Sequence, residues 1–516
     1  MSFVSIEFLI FTLVSLVLYY ILPSKKRWIA LLIASYAFYI IGGKYTVLYL
    51  IFTTIITYIS ARVLDKINSS KTDNDEKLIK KNKRNKKLIV VCTLLLNFGL
   101  LFFFKYWNFL AEFINKLSGT ETIGIMDLVL PLGISFYIFQ SIGYLIDVYR
   151  KKYPAEKNIL KYATFISFFP QIVQGPISRF DNLGKQLQND NKFSWDNIKD
   201  GIQIILWGLL KKLVIADRAA VVVTAVFNNY KEYDGAIILF SVILYCIQLY
   251  CDFSGGIDIT RGVARLFGID LIDNFKRPIF ATSLQDFWRR WHISLGTWMK
   301  DYLFYPLSLS KPFIKLGKKI RTQIGGKAGK IIPVSIVTFI VYFAIGIWHG
   351  ASFKYIVFGL WNGTLITIGL LLEPLFIKAK TILKIDDKNG FFKFFQVLRT
   401  SFLVLIGRYI TRASRFMASI EMLTLTVTTF TFQNIMDGKL LSFSLTIEDY
   451  IVILVGVIVL LVIEAFYEKG INLRLWLDKK PFILQWGVMI IALLVLLWFG
   501  INRGNYIASE FIYKQF

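Results

Sequence analysis

Ile331-Ile-Pro-Val-Ser-Ile-Val-Thr-Phe-Ile-Val-Tyr-Phe-Ala-Ile-Gly-Ile-Trp-His-Gly350 is an apolar run that closes on a histidine. A run of this kind reads as a membrane span, because crossing the hydrocarbon core takes roughly 20 mostly apolar helical residues. An ionisable side chain at membrane depth is costly, so it tends to line a cavity and serve a function. Histidine is also the side chain whose ordinary pKa lets it take and return a proton near neutral pH. The 516-residue chain has two, His292 and His349, each directly after a tryptophan. Proton-transfer chemistry has few other candidates here.

Composition supports the membrane reading. Hydrophobic residues make up 55% of the chain and charged residues only 18%, far less charge than a soluble enzyme of this length carries. The net charge of +26 sits in short basic clusters between apolar runs. There it acts as a topology signal and attracts anionic lipid, so no nucleic-acid partner is expected. Cys92, Cys246 and Cys251 form no CxxC pair and lie in apolar stretches. They read as small buried hydrophobes, and with two histidines no metal site is expected. The first apolar run, residues 3–22, lacks a small-residue cleavage site and is expected to be a retained span.

Lys25, Lys26 and Arg27 follow that span and put its end in the cytoplasm, with the N-terminus outside. Spans at 28–41 and 47–63 return the chain to the same side. There residues 65–87, ending in Lys80, Lys81, Lys83, Arg84, Lys86 and Lys87, read as a basic, solvated cytoplasmic loop. A fourth span covers 88–104, and the amphipathic stretch 106–117 is expected to lie in the interface. Pro131 opens another span, which ends at Lys152. Residues 165–179, broken by Pro170, Gly175 and Pro176, suit a re-entrant or cavity-lining piece. Further spans are expected at 201–216, 236–250, 333–348, 355–372, 397–410, 422–432, 450–467 and 485–501. Residues 271–330 are polar, aromatic and basic, and read as amphipathic helices on the cytoplasmic side. The expected fold is all-α: one integral-membrane domain over residues 1–516, a polytopic helix bundle with re-entrant and interfacial helices.

Three constellations carry possible chemistry. In LQDFWRRWHISLGTWMKDYL (284–303), Phe287, Trp288, Trp291 and Leu295 share a helical face, with Arg289 and Arg290 near another. Tryptophan with arginine suits a membrane interface and equally a phosphate-bearing ligand. In GIWHGA (346–351), glycines on both sides of Trp348-His349 allow close approach of backbone or ligand. Such a histidine is either hydrogen-bonded within a bundle or a general base toward a hydroxyl. In YCDFSGGIDIT (250–260), Asp252 and Asp258 near a Gly-Gly pair read first as helix caps, and otherwise as groups that orient a histidine or bind a cation. Arg408, Arg412 and Arg415 read first as a cytoplasmic boundary and second as contacts to donor phosphates.

At these motifs the chain resembles the membrane-bound O-acyltransferase (MBOAT) family, in particular its bacterial branch typified by alginate O-acetyltransferase. The similar stretches run in order: LPLGISFYIFQSIGYLIDVYR (130–150), FFPQIVQGPISRF (168–180), GLLKKLVIADR (208–218), YCDFSGGIDI, DFWRRWHISLGTWMKDYLFYPL, GIWHGASFKYIVFGLWNG and the terminal EFIYKQF. The chain departs from the family at Gly256 and Ile257, which replace polar residues. It departs again at Asn362, where many relatives have histidine, and at Lys514. The resemblance implies a bundle around a central tunnel, with His349 as the catalytic residue and His292 as a second functional histidine. It implies a cytoplasmic thioester donor, acetyl-CoA or a phosphopantetheinyl acyl carrier protein, and no permanently bound cofactor. Arg289, Arg290, Lys300, Trp291 and Trp348 are then candidate donor contacts. Asp286, Asp252 and Asn362 are candidate supporting residues behind them.

The function this implies is O-acetylation of a cell-surface polysaccharide, with His349 as general base. The chain would sit as a multi-pass protein in the bacterial inner membrane, among membrane lipids. An extracytoplasmic acyl acceptor or SGNH-type acetyltransferase partner would pass the group to the glycan. The alternatives are D-alanyl transfer to teichoic acid from a carrier protein, acylation of a lipid or of peptidoglycan, or transport without a covalent step.

Overall fold

The computed structural model describes residues 1–70, 75–501 and 510–511. Among them the chain is helical without a strand; the one isolated bridge pairs Phe275 with Trp291. Eight helical stretches among the described residues are long and apolar enough to cross a membrane, including Gly235–Leu266, Ala328–His349, Phe353–Ile382, Gly390–Arg412 and Ile447–Glu468. Their outer faces are greasy: Leu9, Val17, Leu95, Leu454 and Ile490 are each more than half exposed. In water such continuous apolar surface would drive association; facing lipid it is solvated. The architecture is the expected all-α polytopic membrane bundle.

The chain forms two compact units. The first is built chiefly from Met1–Ile205 and Gly256–Ile272, the second from Leu206–Gly255 and Asp273–Ile512. In the first, the proline-broken stretch after Ser167 is not helical, yet nearly all of it is buried. Its backbone is satisfied locally, as when the Phe169 amide donates to Ser35 Oγ at 3.0 Å. Gly133, at φ +66°, lies so close to the Ile172 carbonyl that a Cβ there would fall 2.0 Å from the oxygen. Irregular backbone at depth survives only where protein or water satisfies it. The Gly256 departure has a local cause: a Cβ there would lie 2.4 Å from the Gln174 amide nitrogen.

In the second unit the helices Ala328–His349 and Phe353–Ile382 turn back on each other through three residues. They cross where Gly346 meets Gly359; a Cβ on Gly346 would come within 2.6 Å of the Tyr355 carbonyl and 2.9 Å of the Gly359 Cα. Lipid supplies no hydrophobic drive between helices, so close backbone contact at small residues does the packing. Lys212, in a π-helical segment Leu210–Ala216, bridges two buried carboxylates, Asp252 at 2.6 Å and Asp217 at 2.8 Å.

Four expectations need correction. Glu76–Ser118 is one 43-residue helix, so residues 76–87 are not a linker and 106–117 is not a separate interfacial piece. Asp75 caps the helix start by accepting from the Lys77 and Leu78 amides, and no glycine or proline ends it until Gly119 apart from the tolerated Gly99. The stretch expected to span 422–432 is a 13-residue helix, Phe416–Thr428, too short to cross. Asp252 caps nothing: Gly235–Leu266 is continuous through it. The terminal EFIYKQF motif, apart from Glu510 and Phe511, lies outside the described residues.

Candidate active site

The WRRWHISL segment is two short helices around a strained corner. Ser283 caps Leu284–Arg290, accepting from the Asp286 amide at 3.1 Å. Asp286 in turn accepts from the Thr282 amide at 3.2 Å and from Arg290 Nε at 3.0 Å. The helix then stops. Trp291 is extended and His292 adopts φ 48°, ψ 53°, the left-handed region, before Ile293–Met299 resumes. A non-glycine residue held there costs on the order of 1 kcal/mol and needs surrounding structure to over-determine it.

Asn274 supplies that structure. Its carbonyl accepts from the Ile293 amide at 3.0 Å, and its Oδ1 accepts from the Ser294 amide at 2.9 Å. Its amide faces His292 Nδ1 with Nδ2 at 3.2 Å and Oδ1 at 3.4 Å. In the shorter contact the amide donates and Nδ1 accepts, which is the tautomer that carries the imidazole proton on Nε2. Phe253 stands edge-on to the ring at 4.9 Å between centroids, and Trp348 lies at 6.0 Å. Burial, with the proximity of His349 adding to it, holds His292 well below the ordinary histidine range, so it is neutral at pH 7.

His349 ends the helix Ala328–His349 and is buried. Its ring packs among Trp348 at 4.9 Å, Phe358 at 5.7 Å and Tyr355, stacked at 6.2 Å. Gly350 gives Tyr355 room, since a Cβ there would sit 2.6 Å from the phenol ring. Trp348 contacts both imidazoles, so the tryptophan–histidine motifs meet in one aromatic cluster.

The remaining candidates separate. Trp291 and Trp348 belong to the cluster. Arg290 does not offer a free charge: Glu468 takes it at 2.9 and 3.2 Å, alongside Asp286. Arg289 and Lys300 are exposed, with Lys300 over the Tyr305 ring at 5.6 Å. Asp286 serves as cap and Arg290 partner, and Asp252 serves Lys212. Asn362 accepts from the Trp288 indole at 3.1 Å and donates to the Phe358 carbonyl at 2.9 Å, bracing aromatics around His349. Sequence reasoning missed Asn274, a loop asparagine in no motif. No metal-binding cluster of His, Cys, Asp and Glu occurs among the described residues.

The chain is thus an apolar, polytopic helix bundle of the integral-membrane class that brings two buried motif histidines into one aromatic cluster. Residues 155–384 match the model of MBOAT, the membrane-bound O-acyltransferase family. Over those residues the chain is similar to that family, and its similarity to alginate O-acetylases extends over 362 residues at 32% identity.

It is 37% identical over 273 residues to the probable alginate O-acetylase AlgI of Pseudomonas putida, covering 52% of each chain. It is 33% identical over 311 residues to the peptidoglycan O-acetyltransferase of Helicobacter pylori, covering 55% of each. It is 26% identical over 306 residues to the teichoic acid D-alanyltransferase of Streptococcus thermophilus, covering 55% of this chain and 70% of the relative. The match thus spans about half the length of the O-acetylating relatives named here.

Proposed function

We propose that the protein is a membrane O-acetyltransferase serving a cell-surface polysaccharide. The observation that carries this reading is the meeting of His292 and His349 around Trp348. His349 is the general base: it takes the proton from an acceptor hydroxyl as the oxygen attacks the thioester carbonyl. The Nε2–H of His292 donates to the carbonyl oxygen as it gains negative charge, a contribution that a low-dielectric site magnifies. The tetrahedral adduct collapses, the carbon–sulfur bond breaks, and the thiolate receives the proton held on His349. The acetyl group ends as an ester on the acceptor oxygen.

Acetyl-CoA or a carrier-bound thioester is the donor, reaching the site from the side of the lysine-rich turns. That side is cytoplasmic, which puts the N-terminus outside and the membrane in the bacterial cell envelope. An extracytoplasmic acceptor, an SGNH-type partner or the glycan itself, takes the acetyl group. The test is transfer of label from acetyl-CoA by the purified chain in lipid vesicles to glycan or partner. His349→Ala is expected to lower it by at least about a hundredfold with normal insertion. Full transfer by that variant would remove the assignment. Label passing only from a D-alanyl carrier would favour teichoic acid chemistry instead.

A further inference from the structure

Arg408 is an unusual residue for its surroundings. It is 6% exposed, its Nε has no hydrogen-bond partner among the described residues, and its guanidinium lies over the Trp291 ring at 5.0 Å and the Phe287 ring at 5.9 Å. A buried arginine of this kind normally has a carboxylate. Within the same unit Arg218 has Asp449 at 3.1 Å, and Arg277 and Arg290 share Glu468.

Two further cations stand beside Arg408. Arg412, one turn on, reaches the Thr224 hydroxyl at 3.5 Å and lies over the Phe227 ring at 5.5 Å. Lys354 donates to the Ala413 carbonyl at 2.7 Å and lies over Tyr355, the residue stacked on His349. Among the described residues none of the three forms an ion pair with an acidic side chain. Arg408 is buried and Arg412 and Lys354 are half-buried; leaving such cations uncompensated is costly, so a site that keeps them is matched to a charge brought by a ligand.

Their position indicates which reactant brings that charge. Ala328–His349, Phe353–Ile382 and Gly390–Arg412 run alternately up and down, joined by short connections. His349, Lys354 and Arg412 share one end; Lys378, Lys380, Lys384 and Lys388 mark the other, on the order of 35 Å away at 1.5 Å per residue. The lysine-rich end suits donor phosphates. We infer that Arg408, Arg412 and Lys354 form an anion site beside His349 that holds an acidic group, carboxylate or phosphate, of the acyl acceptor. Arginine's planar fork fits either anion. The inference rests on the acyl-transfer reading and names the chemistry of its acceptor.

The test is binding to the full chain in lipid nanodiscs, by calorimetry and by tryptophan fluorescence, to which Trp291 beneath Arg408 contributes. The probes are trigalacturonate for the carboxylate, glycerol 3-phosphate for the phosphate, and maltotriose as the neutral control. At least one anionic probe is expected to bind saturably and salt-sensitively. The double substitution Arg412→Gln with Lys354→Gln should weaken it at least about tenfold. Arg408→Lys, which keeps the charge, should weaken it less. Coenzyme A is expected not to compete. Equal binding of maltotriose, no anion binding, or displacement by coenzyme A would overturn the acceptor site. Binding needs no turnover, so anion binding without acetyl transfer indicts the proposed reaction. Transfer dependent on His349 without anion binding indicts this inference alone.

Discussion

At the scale of single residues, the proposed reaction gives the two histidines different jobs because their neighbours differ. Asn274 faces Nδ1 of His292, and in that reaction its amide keeps Nδ1 an acceptor. Replacing it by aspartate tests that role. A carboxylate beside Nδ1 favours a proton there and favours the imidazolium, so the His292 pKa rises from its depressed position. As pH falls, protonation of His292 then begins at higher pH than in the parent. We expect Asn274→Asp to lower kcat about ten- to a hundredfold and to move the acidic limb of the rate profile upward in pH. Asn274→Ala should lower kcat without that upward displacement. An unchanged profile in the aspartate variant would show that the amide does not set the tautomer. The histidines themselves were legible from the sequence, since each follows a tryptophan in a motif. Asn274 was not, because its role arises from a loop folding back across 18 residues onto the His292 corner.

At the scale of elements, the crossing of Ala328–His349 on Phe353–Ile382 sets where His349 and Tyr355 lie. Gly346→Val puts side-chain atoms against the Tyr355 carbonyl and Gly359 backbone, neither of which can yield cheaply. A loss of about 1–3 kcal/mol is expected, read as a lower thermal midpoint in detergent together with lost transfer. Gly369, on the same helix as Gly359, has open space around its Cα. Gly369→Ala is expected to keep activity and raise stability by about 0.5–1 kcal/mol. Equal effects of the two substitutions would mean that the crossing is not tight. Most helices were legible from apolar runs, but their lengths were not. The charged stretch before residue 88 reads as a linker by composition, yet lysine and glutamate sustain a helix that neighbours and a cap extend. The aspartate of DFSGGID looked like a cap because a Gly-Gly pair usually ends a helix. Here Gly255 is crowded by the Gly208 carbonyl and Gly256 by Gln174, so both glycines serve close packing instead.

At the scale of the whole molecule, the basic clusters orient the chain in the bilayer. Single cysteines introduced at Lys384 and at Lys439, in a background whose own cysteines are replaced, should react from opposite sides of intact cells. Lys384 is expected to label only after the membrane is opened, and Lys439 from outside with an impermeant maleimide. The reverse pattern would invert the proposed topology and move the cation cluster beside His349 to the donor's side. The sequence by itself determined the class of fold, the family motifs and the identity of both histidines. These rest on local signals: runs of apolar residues, charge clusters and short fixed patterns. Tertiary structure alone decided which charges are spent and which are kept. Arg290 looked available and is occupied by Glu468, 178 residues away; Arg408 looked like a boundary charge and is buried over Trp291. The reason is that compensation of a buried charge depends on partners brought together by folding, and chain spacing carries no record of them.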